Sequence, residues 1–201
     1  MTLDCAAAHT VRPDLFTGGW VLDAGCRDFI FTQYAVDHGC RVIALDPDPA
    51  VSDPQLPAVA FVQAAISTEP GQCDFALTDD VEARHIASAN SSRRTCRYIP
   101  VRVTTIRELM AQFGIAAWDC VKMDIEGSEY GILSAWPGPI AKQITVEFHD
   151  HVEKRPPELY ERICGHLGQW YRPVKWYAGD TLFVLKELVA EDVIGAPWWR
   201  K

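Results

Sequence analysis

Acidic side chains crowd together where a buried strand is expected to end. Residues 121–129 read Val-Lys-Met-Asp-Ile-Glu-Gly-Ser-Glu, so Asp124, Glu126 and Glu129 fall within six residues. Like charges this close repel one another, which makes a purely structural role costly. Attraction to the N-terminus of the following helix accounts for Glu129 but not readily for the other two. We therefore expect Asp124 and Glu126 to be catalytic residues.

A second group of titratable side chains follows the next predicted strand, in the run Val-Glu-Phe-His-Asp-His at 146–151. His149 is a candidate general base because a free imidazole titrates near neutral pH. The sequence leaves open whether His149, Asp124 or Glu126 takes that role. Alternatively, Asp124, Glu126 and Glu147 bind a hard divalent cation. We favour the metal-free version, since three acids that are close in sequence need not surround one point.

A third feature is the turn Asp23-Ala24-Gly25-Cys26-Arg27-Asp28, which follows the first predicted strand. A loop that cradles a pyrophosphate needs several glycines, whereas this turn has a single glycine between acids. Asp46 closes the next strand, at a spacing typical of an acid that accepts hydrogen bonds from ribose hydroxyls. Adenosine attached to a cationic centre, as in S-adenosylmethionine, fits this arrangement better than a dinucleotide. The alternative is that Asp23 and Asp28 only cap the following helix.

These residues are positioned by short apolar runs that alternate with helical patterns. Such alternation with short connections predicts βαβ units and a parallel sheet with right-handed crossovers. In such sheets, ligands bind at the carboxyl ends of the strands. The predicted strands are 20–22, 41–45, 58–64, 73–77, 98–103, 118–123, 143–147, 171–177 and 181–185, and the predicted helices are 29–38, 105–113, 128–136 and 157–167.

Together these elements predict an α/β fold, a three-layer sandwich with a mostly parallel sheet and an antiparallel hairpin at its C-terminal end. The length of 201 residues suits a single domain over 1–201. We assign residues 1–18 to an N-terminal extension. The polar stretch 78–97 is expected to be a mobile surface loop.

Composition narrows the range of partners. The chain has 19 basic and 27 acidic residues, and neither half is basic, which argues against binding to nucleic acid. No run of about 18 apolar residues is present, so no membrane span is expected. Seven scattered cysteines without a Cys-x-x-Cys pair, and a start without the features of a secretory signal, predict a cytoplasmic protein.

The run Lys122-Met123-Asp124-Ile125-Glu126-Gly127-Ser128-Glu129 resembles the Lys-x-Asp-x-Glu-Gly-x-Glu signature of FkbM-type S-adenosylmethionine-dependent methyltransferases. The resemblance runs in family order from about residue 19 to about residue 186, through the segments 21–25, 44–49, 65–67, 103–109, 147–149 and 180–183. It implies a Rossmann-like class I methyltransferase fold. It also implies transfer of a methyl group to a hydroxyl of a glycan or a secondary metabolite.

The resemblance further implies the roles of individual residues in binding the cofactor. Asp23, Gly25 and Cys26 would face the methionine part of S-adenosylmethionine. Asp46 would face the ribose, and Ala65 with Ile66 would face the adenine.

One turn departs from the family pattern. The family usually has Gly-Ala-Asn-x-Gly, whereas this chain has Gly25-Cys26-Arg27-Asp28-Phe29, so that Arg27 replaces a small amide and the later glycine is missing. This departure motivates a second hypothesis, a non-catalytic domain that binds a small molecule or a partner and retains the methyltransferase fold. We favour the enzyme, because Asp124 and Glu126 have no evident structural reason to lie together.

The sequence gives the least information about the methyl acceptor and the oligomeric state. The acceptor is expected to be a small molecule or a saccharide, in a pocket formed by the 78–97 loop and the aromatic residues of 170–177. The chain ends in Pro-Trp-Trp-Arg-Lys at 197–201. The two tryptophans predict packing on the domain or on a second copy in a homo-oligomer, with a frayed terminus as the alternative.

Overall fold

Short apolar runs form strands along most of the chain. The computed structural model describes residues 2–78, 85–86, 95–149, 157–175 and 180–190. Within these residues the strands are β1 (Asp4–Ala6), β2 (His9–Val11), β3 (Trp20–Ala24), β4 (Arg41–Leu45), β5 (Val59–Val62), β6 (Ala65–Ile66), β7 (Gly71–Thr78), β8 (His85–Ile86), β9 (Thr95–Thr104), β10 (Trp118–Met123), β11 (Ala141–Val146), β12 (Tyr171–Lys175) and β13 (Thr181–Leu185). The helices are α1 (Ile30–Asp37), α2 (Ile106–Phe113), α3 (Glu129–Ser134) and α4 (Pro157–Leu167).

The main sheet has the strand order β12-β13-β11-β10-β3-β4-β5. Its central strands, from β11 through β10, β3 and β4 to β5, pair in parallel, as the βαβ pattern predicts. Strand β13 pairs antiparallel with β11, and β12 pairs antiparallel with β13, so the sheet is mixed. Because β11, β10, β3 and β4 are parallel neighbours, their carboxyl ends lie along one edge of the sheet.

Alternate residues of the central strands belong to two hydrophobic clusters. Leu22 and Ile43 lie in the larger cluster, which includes residues of α2, α3 and α4. Val21 and Val42 lie in a second cluster together with Phe31 of α1. The central strands therefore have apolar neighbours on both faces, which explains why their sequences are continuous apolar runs rather than alternating ones.

Helix α2 begins one residue later than predicted, after its N-cap Thr105, and ends at Phe113 as predicted. Thr105 Oγ1 accepts a hydrogen bond from Glu108 N at 3.1 Å, and Glu108 Oε2 accepts one from Thr105 N at 3.3 Å. These two bonds form a capping box. Gly114 follows the helix with a φ of +65°, the left-handed conformation common just after a helix.

The first 18 residues hold more structure than an extension. Strands β1 and β2 pair antiparallel, and the segment after β2 is joined to β11. Arg12 N donates to Gln143 Oε1 at 2.8 Å, and Gln143 Nε2 donates to Arg12 O at 3.1 Å. Thr10 N also donates to Asp180 Oδ1 at 2.8 Å. These contacts fix β2 against the main sheet near the ends of β11 and β13.

The predicted strands 73–77 and 98–103 lie within β7 and β9. They belong to a second sheet, in the order β6-β9-β7-β8, which the sequence did not indicate. The predicted strand 58–64 is shorter, since β5 ends at Val62, and β6 then pairs with β9 instead of the main sheet. Within the predicted loop 78–97, residues 85–86 and 95–97 are strand. Residues 79–84 and 87–94 lie outside the described residues.

Two expectations remain: the absence of a membrane-spanning helix, and the structure of the last segments of the chain. In the described part of the chain, no helix is both long enough and apolar enough to cross a bilayer. Residues 176–179, which connect β12 to β13, lie outside the described residues, as do residues 191–201 with the two terminal tryptophans.

Candidate active site

All nine residues that the sequence predicts for the site line one cleft of about 480 Å³. They are Asp23, Gly25, Cys26, Asp46, Ala65, Ile66, Asp124, Glu126 and His149. The cleft lies at the carboxyl ends of β3, β4 and β10, and Phe75 and Ile86 from the second sheet add to its wall. Its volume falls within the range of roughly 300–1,000 Å³ that is usual for small-molecule sites.

Gly25 allows the turn after β3 to approach the end of β10 closely. Its φ of +78° lies in the left-handed region, and an added Cβ would be 1.9 Å from Asp124 O. Asp124 N donates a hydrogen bond to Ala24 O at 3.1 Å, which joins the two strand ends through the backbone. Only glycine meets both requirements, so the single glycine of this turn is explained by the contact with Asp124.

Lys122 connects the same turn to the acidic motif. Its buried ammonium group lies 3.1 Å from Asp23 Oδ1 and donates a hydrogen bond to Gly25 O at 2.7 Å. Asp23 is fully buried, and its Oδ2 accepts a hydrogen bond from Thr32 Oγ1 at 2.7 Å. Burial alone would lower the pKa of Lys122, but the charges of Asp23 and Asp124 outweigh it and raise the pKa. Asp23 therefore neutralises a permanently charged lysine at the base of the cleft.

His149 lies among four carboxylates. Its Nδ1 is 3.2 Å from Glu129 Oε1. Its Nε2 is 3.4 Å from Asp124 Oδ1 and 3.5 Å from Glu126 Oε1. The same nitrogen is 3.8 Å from Glu147 Oε1. The ends of β10 and β11 thus meet through one buried imidazole.

These neighbours change the charge of the ring. Burial alone would lower the pKa of His149, but the hydrogen bonds to Asp124 and Glu129 and the charge of Glu126 raise it to about 11. In this arrangement the ring is an imidazolium at neutral pH. The sequence argument favoured His149 because a free imidazole titrates near neutral pH, and that premise does not hold here. The spacing of the residues does not reveal that carboxylates surround both ring nitrogens.

Glu129 holds this centre in place. Its buried carboxylate accepts hydrogen bonds from His149 N at 3.0 Å and from Gly127 N at 2.8 Å. Glu126, which directly precedes Gly127, has a φ of +57°, a conformation that is uncommon outside glycine and persists where surrounding contacts determine it. Glu129 is the first residue of α3, as its interpretation as a helix N-terminal charge requires. It also joins α3 to the end of β11, which the sequence did not indicate.

Asp124 is the most accessible of the predicted catalytic residues. Its side chain is 33% exposed, against 15% for Glu126 and 2% for His149. Burial would raise the pKa of Asp124, but the contacts with His149 and His9 and the charge of Lys122 hold it well below its ordinary value. Asp124 is therefore an ionised carboxylate at the edge of the cleft.

Asp46 is held at the opposite side of the cleft by backbone donors. Its Oδ1 accepts a hydrogen bond from Asp48 N at 2.8 Å, and its Oδ2 accepts one from Arg27 N at 3.3 Å. Burial raises the pKa of Asp46, and these two backbone donors offset part of that effect. The bond from residue 27 comes from the main chain, so the departure from the family pattern at Arg27 does not remove it.

Small and apolar side chains complete the wall near Asp46. Cys26, Ala65 and Ile66 are each 3% exposed or less. Burial, together with the charges of Asp23 and Asp46, raises the pKa of the Cys26 thiol well above its ordinary value. Cys26 is therefore a neutral packing residue and not a thiolate.

Two overlapping sets of described residues bring their ligand atoms within 4.8 Å of one another, close enough for a metal ion. One is Asp124, Glu126 and His149, and the other is Asp124, His9 and Glu147. The three-acid set expected from the sequence is not among them. Glu126 and Glu147 instead both approach His149 Nε2, at 3.5 Å and 3.8 Å. His9, in β2, is a site residue that the sequence reasoning missed. No motif signals it, and it precedes Asp124 by more than one hundred residues.

Comparison with protein families gives a match that covers most of the chain. The model of the methyltransferase FkbM domain matches residues 4–171. The chain belongs to the FkbM methyltransferase family. This confirms the resemblance drawn from the sequence and identifies the protein as a methyltransferase by family, with the use of S-adenosylmethionine that the family implies. The FkbM match begins at Asp4 and so includes β1 and β2, which the sequence analysis treated as an extension. No curated protein matches the chain.

Proposed function

We propose that this FkbM-family protein is an S-adenosylmethionine-dependent O-methyltransferase that acts on a hydroxyl group of a glycan or a secondary metabolite. The observation that carries the proposal is one cleft in which the exposed carboxylate of Asp124 faces the same space as Asp46, Ala65 and Ile66. The fold assigned with this function is a three-layer, Rossmann-like class I arrangement. Its support is the parallel centre of the sheet, with apolar clusters on both faces and the site at the carboxyl ends of the strands.

The residues of the cleft fit S-adenosylmethionine. The Asp46 carboxylate accepts two backbone hydrogen bonds and retains acceptor capacity for two ribose hydroxyls. Ala65 and Ile66 offer an apolar surface for the adenine, and the turn with Gly25 and Cys26 is assigned to the methionine part. When bound, S-adenosylmethionine supplies a methyl group on a positively charged sulfur, so the leaving group is already activated.

The chain's contribution to the reaction is the placement of the acceptor and the removal of its proton. We assign both tasks to Asp124, the only one of the three predicted catalytic side chains with a third of its surface exposed. Its carboxylate accepts a hydrogen bond from the acceptor hydroxyl and takes the proton as the oxygen becomes methylated. A methylated oxygen that still carries its proton is a far stronger acid than a carboxylic acid, so a weakly basic carboxylate is sufficient.

His149 and Glu126 act through Asp124 in this proposal. His149 is an imidazolium that fixes the orientation of Asp124 Oδ1 and keeps that carboxylate ionised. Glu126 lies 3.5 Å from the same ring nitrogen and balances its charge. Glu129 fixes the other side of the ring, so we class His149 as a positioning residue and not as a base.

The first experiment is calorimetric titration of the protein with S-adenosylmethionine and S-adenosylhomocysteine. We expect micromolar binding of both, and a loss of at least about tenfold in Asp46→Ala, which removes a hydrogen-bonding carboxylate. Asp53→Ala is the matched control, because Asp53 is exposed and does not line the cleft. Absence of binding of either compound to the wild-type protein would remove the methyltransferase proposal.

A second experiment separates the enzyme from a binding domain that retains the fold. Transfer of labelled methyl groups from S-adenosylmethionine to a panel of hydroxylated acceptors tests turnover directly. Methylation that disappears in Asp124→Asn supports the O-methyltransferase. Tight cofactor binding without transfer to any sugar, polyol or phenol of the panel would favour the non-catalytic alternative suggested by the altered turn at Arg27.

We also propose a cytoplasmic location and a small-molecule or saccharide acceptor. The described cysteines, at positions 5, 26, 40, 73, 120 and 164, are free thiols, which suits a reducing compartment. Assembly into homo-oligomers remains the hypothesis drawn from the terminal tryptophans.

A further inference from the structure

The imidazole of His9 is buried beside the carboxylate of Asp124, and among the described residues only one of its nitrogens has a hydrogen-bond partner. The side chain of His9 is 1% exposed. Its Nδ1 lies 3.3 Å from Thr145 Oγ1, which fixes the ring. Its Nε2 is buried and makes no hydrogen bond to any described residue. A buried polar atom without a partner is costly, and so it points to a ligand that would satisfy it.

The unpartnered nitrogen is directed at two acids that open onto the cleft. His9 Nε2 is 3.8 Å from Asp124 Oδ2, which is longer than a hydrogen bond. Lys122 Nζ is 3.7 Å from the same oxygen, also beyond that limit. One ligand atom each from His9, Asp124 and Glu147 lies within 4.8 Å of the others. The carboxylates of Asp124 and Glu147 are 33% and 30% exposed, so the set is reached from the cleft.

This geometry and these atom types fit a divalent transition-metal ion. Metal–nitrogen and metal–oxygen bonds of about 2.1 Å place neighbouring ligand atoms about 3 Å apart. We expect rotations of the partly exposed side chains of Asp124 and Glu147 to bring the three atoms to that spacing. An imidazole together with two carboxylates suits Mn²⁺, Fe²⁺ or Zn²⁺ better than Ca²⁺. Three protein ligands leave coordination positions open, as in metal sites that take part in catalysis.

We propose that His9 Nε2 and the carboxylates of Asp124 and Glu147 bind a divalent transition-metal ion at the acceptor edge of the cleft. The second set that contains Asp124, with Glu126 and His149, is less suited, because both nitrogens of His149 already contact carboxylates. The proposed metal site does not depend on whether the protein transfers methyl groups. Its use rests on the proposed function: an acceptor hydroxyl that binds the cation beside Asp124 loses its proton more readily than one that binds the carboxylate alone.

The test is titration of the chelator-treated full-length protein with Mn²⁺, in the absence of S-adenosylmethionine. Free Mn²⁺ is followed by electron paramagnetic resonance and the heat of binding by calorimetry. We expect one saturable site per chain, weakened by at least about tenfold in His9→Ala. His38→Ala is the matched control, because His38 is exposed and does not line the cleft; it should bind like the wild type. Visible absorption of bound Co²⁺ should also change in His9→Ala, since a nitrogen ligand is lost.

A second variant keeps the test decisive if His9→Ala unfolds. Glu147→Gln alters a side chain that is 30% exposed, so it removes a ligand without opening the core, and we expect a similar loss of Mn²⁺ affinity. Absence of saturable binding to the wild type, or affinity unchanged in both variants, would overturn the proposal. If Mn²⁺ binds through His9 while S-adenosylmethionine does not bind, the cation site stands and the methyltransferase proposal falls. If S-adenosylmethionine binds but Mn²⁺ does not bind through His9, the proposed metal site falls and the methyltransferase proposal stands.

Discussion

Strand β10 carries an aspartate near each end, and each aspartate approaches a glycine that flanks β3. At the amino end, a Cβ on Gly19 would lie 2.6 Å from Asp119 Oδ1. At the carboxyl end, a Cβ on Gly25 would lie 1.9 Å from Asp124 O. Gly19 leaves room for the carboxylate of Asp119, and Gly25 leaves room for the main chain of Asp124. The acids, however, are used differently.

Asp119 is satisfied mainly by its own surroundings. Its Oδ2 accepts hydrogen bonds from Thr17 N at 2.7 Å and Gly19 N at 2.9 Å. Its Oδ1 is 2.6 Å from Lys142 Nζ. The side chain is 5% exposed, so its carboxylate has little capacity left for a ligand.

Asp124 contrasts with Asp119 in each of these respects. Its neighbours are the charged or imidazole groups of Lys122, His149 and His9, all more than 3.3 Å away, and a third of its side chain is exposed. Asp119 does not line the cleft, and its bonds to the backbone fix the loop before β3, whereas Asp124 lines the cleft and remains available to a substrate. Strand β10 therefore has an aspartate with a structural role near its amino end, and it is followed at its carboxyl end by an aspartate that is available for chemistry.

The largest effect that follows from this contrast is on turnover. Asp124→Asn keeps the size of the side chain but removes the proton acceptor, so methyl transfer should fall by roughly 10²–10⁴-fold. Single-turnover transfer from labelled S-adenosylmethionine to the best acceptor of the panel measures it, and calorimetry checks that cofactor affinity is unchanged. In the matched variant Asp119→Asn, turnover should stay within about twofold of the wild type. A variant at Asp124 that retains most of its activity would contradict the assignment.

The next effect is on stability, and it compares the two lysines. Lys122→Met leaves the buried carboxylate of Asp23 without its counter-charge, which should cost about 3–5 kcal/mol in free energy of unfolding. Lys142→Met removes a side chain that is 32% exposed from Asp119, and it should cost about 1 kcal/mol or less. Urea denaturation followed by tryptophan fluorescence measures both. The double variant Asp23→Asn/Lys122→Met should recover part of the loss, and equal costs for the two lysines would contradict the comparison.

The third effect is a pH dependence of the free energy of unfolding that comes from Asp119. Burial would raise the pKa of Asp119, but Lys142 and the N–H groups of Thr17 and Gly19 lower it. A carboxyl whose pKa is lower in the folded state stabilises the protein above its unfolded pKa of about 3.9, and this contribution is lost as the pH falls through the folded value.

Asp119→Asn should therefore cost about 1 kcal/mol at pH 7, the usual contribution of one hydrogen bond. The difference from the wild type should be constant down to about pH 5 and shrink below about pH 4. Urea titrations at a series of pH values provide the measurement. A difference that does not change with pH would show that the charge of Asp119 contributes nothing.

Much of this arrangement could be predicted from the sequence because its signals are local. The apolar run 118–123 predicts β10 with its observed ends, and the helical pattern over 105–113 predicts α2 to within one residue. The rule that parallel strands bring ligands to their carboxyl ends places Asp46 and Asp124 at one edge. Each of these inferences needs only neighbouring residues and the order of the elements.

The parts that could not be predicted depend on contacts between distant segments. Strands β1 and β2 have three residues each, too few for a periodic signal. Their position is set by bonds such as that of Arg12 N to Gln143, so His9 could not be placed beside Asp124. The charge of His149 follows from carboxylates on two strand ends and a helix, a combination that spacing does not encode.

The smallest predicted effect is on S-adenosylmethionine affinity, and it concerns the turn that contacts Asp46. Asp46 is held by backbone donors, as Asp119 is, but it lines the cleft. Because residue 27 contacts Asp46 Oδ2 through its main-chain N–H, Arg27→Asn, which introduces the family's usual residue, should leave this bond intact. Arg27 is exposed and lines the cleft. Its loss removes one positive charge near a cationic ligand, so S-adenosylmethionine affinity should change by less than about threefold, or about 0.7 kcal/mol.

Calorimetric titration of Arg27→Asn beside Asp46→Ala makes this comparison directly. A small change in the first variant and a large loss in the second would show that the turn binds through its backbone and through Asp46. A loss of tenfold or more in Arg27→Asn would instead show that the guanidinium itself holds the carboxylate of the cofactor. In that case Arg27 would replace the hydrogen bond of the family's asparagine with a stronger, charge-assisted contact.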